Sequence, residues 1–169
     1  MKRSFFLSTL CVIFLISSCN KDEDYDVVFD DTEFETLDWT DATHSKDADP
    51  NFAEVFNDNT VKRLDFVITE ERWEGMLTDM TNKYGAFGSG GAGGGLQEED
   101  NPIFVPGEVY YNGKQWYKVG LRFKGNSSLQ SSWKNGIMKL SFKMDFDEFE
   151  DEYSQIDNQR FYGFKKFGF

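Results

Sequence analysis

The chain has 169 residues, with 30 acidic against 18 basic side chains and a formal net charge of −12. A field of that sign repels nucleic acid and anionic lipid headgroups, which excludes both as electrostatic partners. Eighteen Phe, seven Tyr and four Trp supply enough core-forming mass to exclude a chain disordered throughout.

The first residues read as an export signal. Lys2 and Arg3 precede the apolar run Phe5–Ile16, which ends at Ser17, Ser18 and Cys19. That is a basic region, an apolar core and a small-residue cleavage site. The run is shorter than the roughly 20 apolar residues a membrane span needs. "ISSC" resembles a bacterial lipobox, which makes residues 1–18 the signal peptide and Cys19 the lipid-bearing residue. Cleavage there removes two basic groups and no acid, leaving a chain two charges more negative. The only cysteines are Cys11 and Cys19, so the mature chain has no pair for a disulfide and no cysteines for a zinc site. "NKDED" after Cys19 resembles the export signal of surface-exposed lipoproteins in some Gram-negative bacteria. The expected location is the cell envelope, with the chain lipid-anchored to the outer membrane and the leaflet left open.

Residues 19–60 are acidic and lack a sustained period, and they read as a disordered tether that gains partial order towards its end. His44, the only histidine, falls in this tether, so histidine-based nucleophilic catalysis is not expected. "DADPN" has calcium-loop spacing, but Phe52 stands where an EF-hand needs glycine. From residue 61 the pattern changes. Leu64, Phe66 and Ile68 alternate inward as a strand does. Thr69 is a good helix cap, Glu70 and Glu71 suit a first turn, and Trp73, Met76, Leu77 and Met80 form one apolar helical face. "GAFGSGGAGGG" lacks the Lys-Ser/Thr of a phosphate loop and runs into acidic residues, so it reads as a flexible low-complexity loop.

Asn112-Gly113 predicts a hairpin. In its second strand Tyr117, Val119, Leu121 and Phe123 share one face, and Lys118, Gly120, Arg122 and Lys124 share a polar outer face. "KGNSS" predicts a small polar turn. The strand after it carries Lys139 and Lys143 on its polar side. The fold class is therefore α+β: an antiparallel sheet with one packed helix. Asp145 and Asp147 read as an exposed strand end, and Glu148–Glu152 as a solvated turn. A phosphate group would suit "KGNSS" and the neighbouring lysines, but a hairpin turn with solvated lysines accounts for the same residues.

"VGLRFKGNSSL", Trp133, "GIMKLSFKMDFDEF" and "QRFYGFKKFGF" together resemble the CotH spore-coat kinase family. "ERWEGMLTDM" and "PGEVYYNGKQW" fit the same family, and the likeness covers about residues 60–169. The resemblance implies the N-terminal lobe of an atypical protein kinase, binding of ATP with Mg2+, and phosphate transfer to an unidentified protein substrate. It implies phosphate contact by Gly125, Asn126, Ser127 and Ser128 and by Lys139 or Lys143, with Lys143 the preferred lysine. The family's catalytic and metal-binding aspartates lie in a later part of its domain. No catalytic residue is therefore expected in this chain, which is expected to be a fragment or a truncated product, inactive alone. A second expectation is a non-catalytic adhesion or glycan-binding lipoprotein using Trp116, Tyr117 and Trp133 as exposed platforms.

Overall fold

In a computed structural model of the chain, residues 31–57, 59–91 and 101–168 are described. The expected signal peptide, the expected lipid site Cys19 and the acidic stretch after it lie outside them. Strand β1 (Asp65–Val67) continues the inward alternation of Leu64, Phe66 and Ile68. Helix α3 (Glu70–Tyr84) follows, and the Thr69 hydroxyl accepts a hydrogen bond from the Arg72 N–H at 3.3 Å. Strands β2 (Val105–Tyr111) and β3 (Lys114–Lys124) are joined by Asn112 and Gly113 at φ 49° and 73°. Two consecutive positive φ values give the hairpin turn that matches strand twist. Strands β4 (Ser141–Asp145) and β5 (Lys166–Gly168) complete an antiparallel sheet in the order β1-β2-β3-β4-β5.

The α+β class and the antiparallel sheet agree with the sequence reading, but the helix count does not. Residues 127–134 form a second packed helix, α4 (Ser127–Lys134), where a polar turn was expected. Leu129 and Trp133 stand four residues apart and bury against Met76, Met80 and Phe123, together with α3. Only two apolar positions in eight residues mark this helix, too few to show a period in the sequence.

The polar outer face expected of β3 is also corrected. Trp116–Phe123 is continuously buried, because both faces of the strand are covered. On one face Val119 and Leu121 pack with Met144, Phe146 and Phe161. On the other, Tyr117 packs with Tyr153 and Ile156, and Phe34 and Phe149 lie at the margin. Lys118 has φ 45° beside the irregularity in the β2–β3 register. Its ammonium is buried against Asp31 at 2.7 Å and Glu108 at 3.4 Å.

The expectation of a disordered tether up to residue 60 does not hold for residues 31–57, which dock on the sheet. They include two single-turn helices, α1 (Asp41–His44) and α2 (Phe52–Val55). His44 is fully buried, with its ring stacked on Trp116 at 4.6 Å and on Trp39 at 5.2 Å. Its Nε2 lies 2.8 Å from the Gln115 carbonyl, which can only accept, so Nε2 carries the proton. Its Nδ1 accepts from the Thr43 hydroxyl at 2.7 Å. No helix among the described residues is long and apolar enough to cross a membrane.

Candidate functional site

Strand β3 delivers Lys124 to the edge of a small polar cleft, and the chain then turns through Gly125 into α4. Gly125 has φ 133°, a conformation reserved for glycine, and Ser128 and Leu129 crowd the space a Cβ would fill. The Asn126 side chain makes no cap on α4, so the helix start keeps donor groups that a Ser or Asp cap would have occupied. The cleft holds about 180 Å³ and is lined by Lys124, Ser128, Ser132, Lys139 and Ser141, with Leu129 and Leu140. Its polar groups are two ammoniums and three hydroxyls, and none is a carboxylate. Among the described residues neither lysine forms an ion pair within 4.0 Å, in a chain with 30 acidic groups.

The structure brings together some of the sequence-predicted residues and separates others. Ser128 and Lys139 line the cleft, and Gly125, Asn126 and Ser127 form the turn that enters α4 beside it. Lys139 precedes β4 rather than standing in it. Lys143 does not line the cleft. It lies on β4 opposite Arg122, and both cations approach the Phe104 ring, at 5.9 and 5.1 Å respectively. Lys124, which the sequence reading did not single out, lines the cleft instead. Lys124 pairs with Ser141 at the start of β4, so its backbone stands beside the segment that carries Lys139. Its side chain also passes over Gly168, where any Cβ would collide with Lys124 Nζ.

The acidic run after β4 is also corrected. Asp145 and Asp147 are buried, not an exposed strand end. Asp145 pairs with Lys166 at 2.5 Å, and Asp147 with Arg160 at 2.6 Å and Lys165 at 2.9 Å. Burial pushes the Asp147 carboxyl up, but donation from Lys165 and Arg160 outweighs it and leaves the pKa below the ordinary value. Glu148 is raised, first by partial burial and then by the neighbouring Asp145. The lysines of "FKKF" therefore hold the acidic run in place. No group of three His, Cys, Asp or Glu residues among the described residues is arranged to hold a metal ion.

The three aromatic residues expected as exposed platforms are buried. Trp116, Tyr117 and Trp133 are 0%, 5% and 1% exposed. Trp116 donates to the Arg160 carbonyl and Trp133 to the Gly85 carbonyl, both at 2.8 Å, so even their polar edges are used inside the fold. Comparison with protein-family models, with curated proteins and with solved structures finds no match to this chain.

Proposed function

We propose that the chain is the phosphate-holding portion of a CotH-like kinase domain carried by an envelope lipoprotein. The observation behind this reading is the cleft at Lys124 and Lys139. Two ammoniums, three hydroxyls and an uncapped helix start are the donors a phosphate takes, and no acid stands among them to repel it. A kinase holds nucleotide phosphates with a glycine-containing turn and a strand lysine. Here Gly125 supplies the turn and Lys124 ends the strand before it. Lys139 adds a second charge from the segment between α4 and β4.

In this reading the cleft contributes binding and no chemistry. Phosphoryl transfer needs carboxylates on the divalent cation and one that positions the nucleophile. The cleft residues include none, and Asp145 and Asp147 are engaged with Lys166, Lys165 and Arg160. Coordination of Mg2+ and the catalytic step therefore fall to groups outside the cleft. Helix α4 carries no acidic residue, so the lysine–glutamate pair of ordinary kinases is not made by it. The lipid anchor on Cys19 and the envelope location belong to the same proposal and rest on residues 2–24.

The test is calorimetric titration of ATP, with magnesium, into the chain and into the Lys124→Ala/Lys139→Ala double variant. Loss of a charge-assisted contact worth about 1.5–3 kcal/mol predicts at least a roughly tenfold weaker complex. Equal affinity in the two proteins, or no binding by the wild type, overturns the reading.

A further inference from the structure

The fold sets Arg122 and Lys143 side by side and gives neither a counter-ion. They pair directly across β3 and β4, and like charges opposed in this way destabilise a sheet. Arg122 is 8% exposed. Its Nη1 donates to the Phe123 carbonyl at 3.1 Å, but its buried Nε has no partner. Nη2 is unbonded too, and it is not sealed from solvent as Nε is. A guanidinium withdrawn from water with no anion beside it is costly. Among the described residues no carboxylate stands within 4.0 Å of Arg122, Lys124 or Lys143. Glu148, whose side chain covers Gly120 on the same face, acts on Arg122 and Lys143 from beyond that distance. Lys124 joins the group. It stands two residues along β3 from Arg122 and so shares its face. Lys143 is paired with Gly168 on β5 as well as with Arg122. A Cβ on Gly168 would meet the Lys124 ammonium, which places that ammonium about 5 Å, one strand spacing, from the Lys143 Cβ.

We propose that Arg122, Lys143 and Lys124 form a second phosphate subsite, joined through Lys124 to the cleft at Lys139, and that the ligand is a linear phosphate chain spanning both. The proposal rests on the phosphate reading of the cleft. Lys124 lines the cleft and carries its ammonium towards Lys143, so the two groups of cations are continuous. The planar guanidinium suits two oxygens of one phosphate, and the ammoniums act as point charges on the units that follow. A single phosphate in the cleft leaves Arg122 and Lys143 uncompensated. A chain with a charge on every unit neutralises them and the cleft together. An acidic peptide fits less well, because it brings carboxylates to one face only at alternate residues and carries amide groups that need partners of their own. The Phe104 ring, 5.1 Å from Arg122 and 5.9 Å from Lys143, attracts both cations without neutralising them. The net charge of −12 repels polyanions from the rest of the chain, which confines their binding to this patch.

The experiment is calorimetric titration of the chain with inorganic phosphate, tripolyphosphate and ATP, at low salt and without magnesium. Tripolyphosphate should bind at least about tenfold tighter than inorganic phosphate. Lys143→Met and Lys139→Ala should each weaken tripolyphosphate and ATP by about tenfold. Glu148→Gln, which removes the acid beside the cations, should tighten both severalfold. Lys143→Met should not lower the Tm of the unliganded chain, because it removes a like-charge opposition. A lower Tm with unchanged affinity is what a purely structural lysine gives, and it overturns the proposal. Arg122→Lys, which keeps the charge and loses the fork, should also weaken tripolyphosphate and serves if Lys143→Met does not fold. If Lys139→Ala weakens tripolyphosphate and Lys143→Met does not, the cleft reading stands and the second subsite falls. If only Lys143→Met does, the cleft reading falls and the spanning ligand with it. If neither does, or if no phosphate compound binds, both fall. A loss confined to ATP places the contact on the nucleoside and overturns the phosphate chain. So does tripolyphosphate that binds no tighter than inorganic phosphate, and so does a hexa-aspartate peptide that binds as tightly as tripolyphosphate.

Discussion

Replacing His44 tests whether residues 31–57 are part of the fold. The imidazole is fully buried between Trp39 and Trp116 and bridges Thr43 to the Gln115 carbonyl. Truncating a buried Phe or Trp to Ala costs about 3–5 kcal/mol, and the smaller imidazole puts His44→Ala near the lower end. The Gln115 carbonyl also loses a donor, which raises the cost by about 1 kcal/mol if water does not replace it. A total of about 3–4 kcal/mol corresponds to a fall in Tm of about 10 °C for a unit of this size. The assay is urea denaturation followed by tryptophan fluorescence, since Trp39 and Trp116 flank the site. His44→Phe keeps the stacking and loses the hydrogen bonds, so it should be intermediate. Burial lowers the His44 pKa below its ordinary value, against a smaller opposing effect of the Gln115 hydrogen bond. The unfolded chain therefore takes up a proton near pH 6.5 before the folded chain does. His44 stabilises fully above that pH, and stability falls as pH drops from about 6.5 towards the lower folded value, by at most about 1.4 kcal/mol per pH unit. Asp38 and Lys114 also act on the ring, with opposite signs. The His44→Phe variant should lack this fall. A loss below about 0.5 kcal/mol for His44→Ala, the size of a surface substitution, would refute the docking of this segment.

Lys118→Ala should act on stability and not on nucleotide binding. It leaves Asp31 with Arg72 as its remaining cation and Glu108 without its ammonium, so a loss of about 3 kcal/mol is expected by denaturation, with unchanged ATP affinity. Gly168→Ala should displace the Lys124 side chain, which is flexible enough to move, so ATP affinity should fall while Tm changes by no more than about 2 °C. The combination of unchanged affinity and a large loss of stability would contradict that. Cys19→Ala should shift the protein from the detergent phase to the aqueous phase on fractionation, and identical partitioning would remove the lipid anchor.

Local chemistry made part of this protein legible from its sequence. Thr69 caps α3 and Asn112-Gly113 turns the β2–β3 hairpin, because each signal acts within a few residues of its own position. The inward alternation of Leu64, Phe66 and Ile68 is local in the same sense. Other features needed the assembled sheet. Lys118 reads as a solvated charge on a strand's polar face until Asp31, 87 residues earlier, is brought against it. His44 reads as a tether residue until Trp116 arrives from β3 to stack on it. Leu129 and Trp133 define a helix only once Met76 and Phe123 give them something to bury against. The same holds for the polar cleft beside α4. Lys143 was preferred for its depth in the strand, whereas the cleft that forms is lined by Lys124 and Lys139. Propensities and turn chemistry are set by neighbours in the chain. Which buried charges find partners, and which lysines share a cleft, depends on strand register and layer packing, and these are fixed only when distant segments meet.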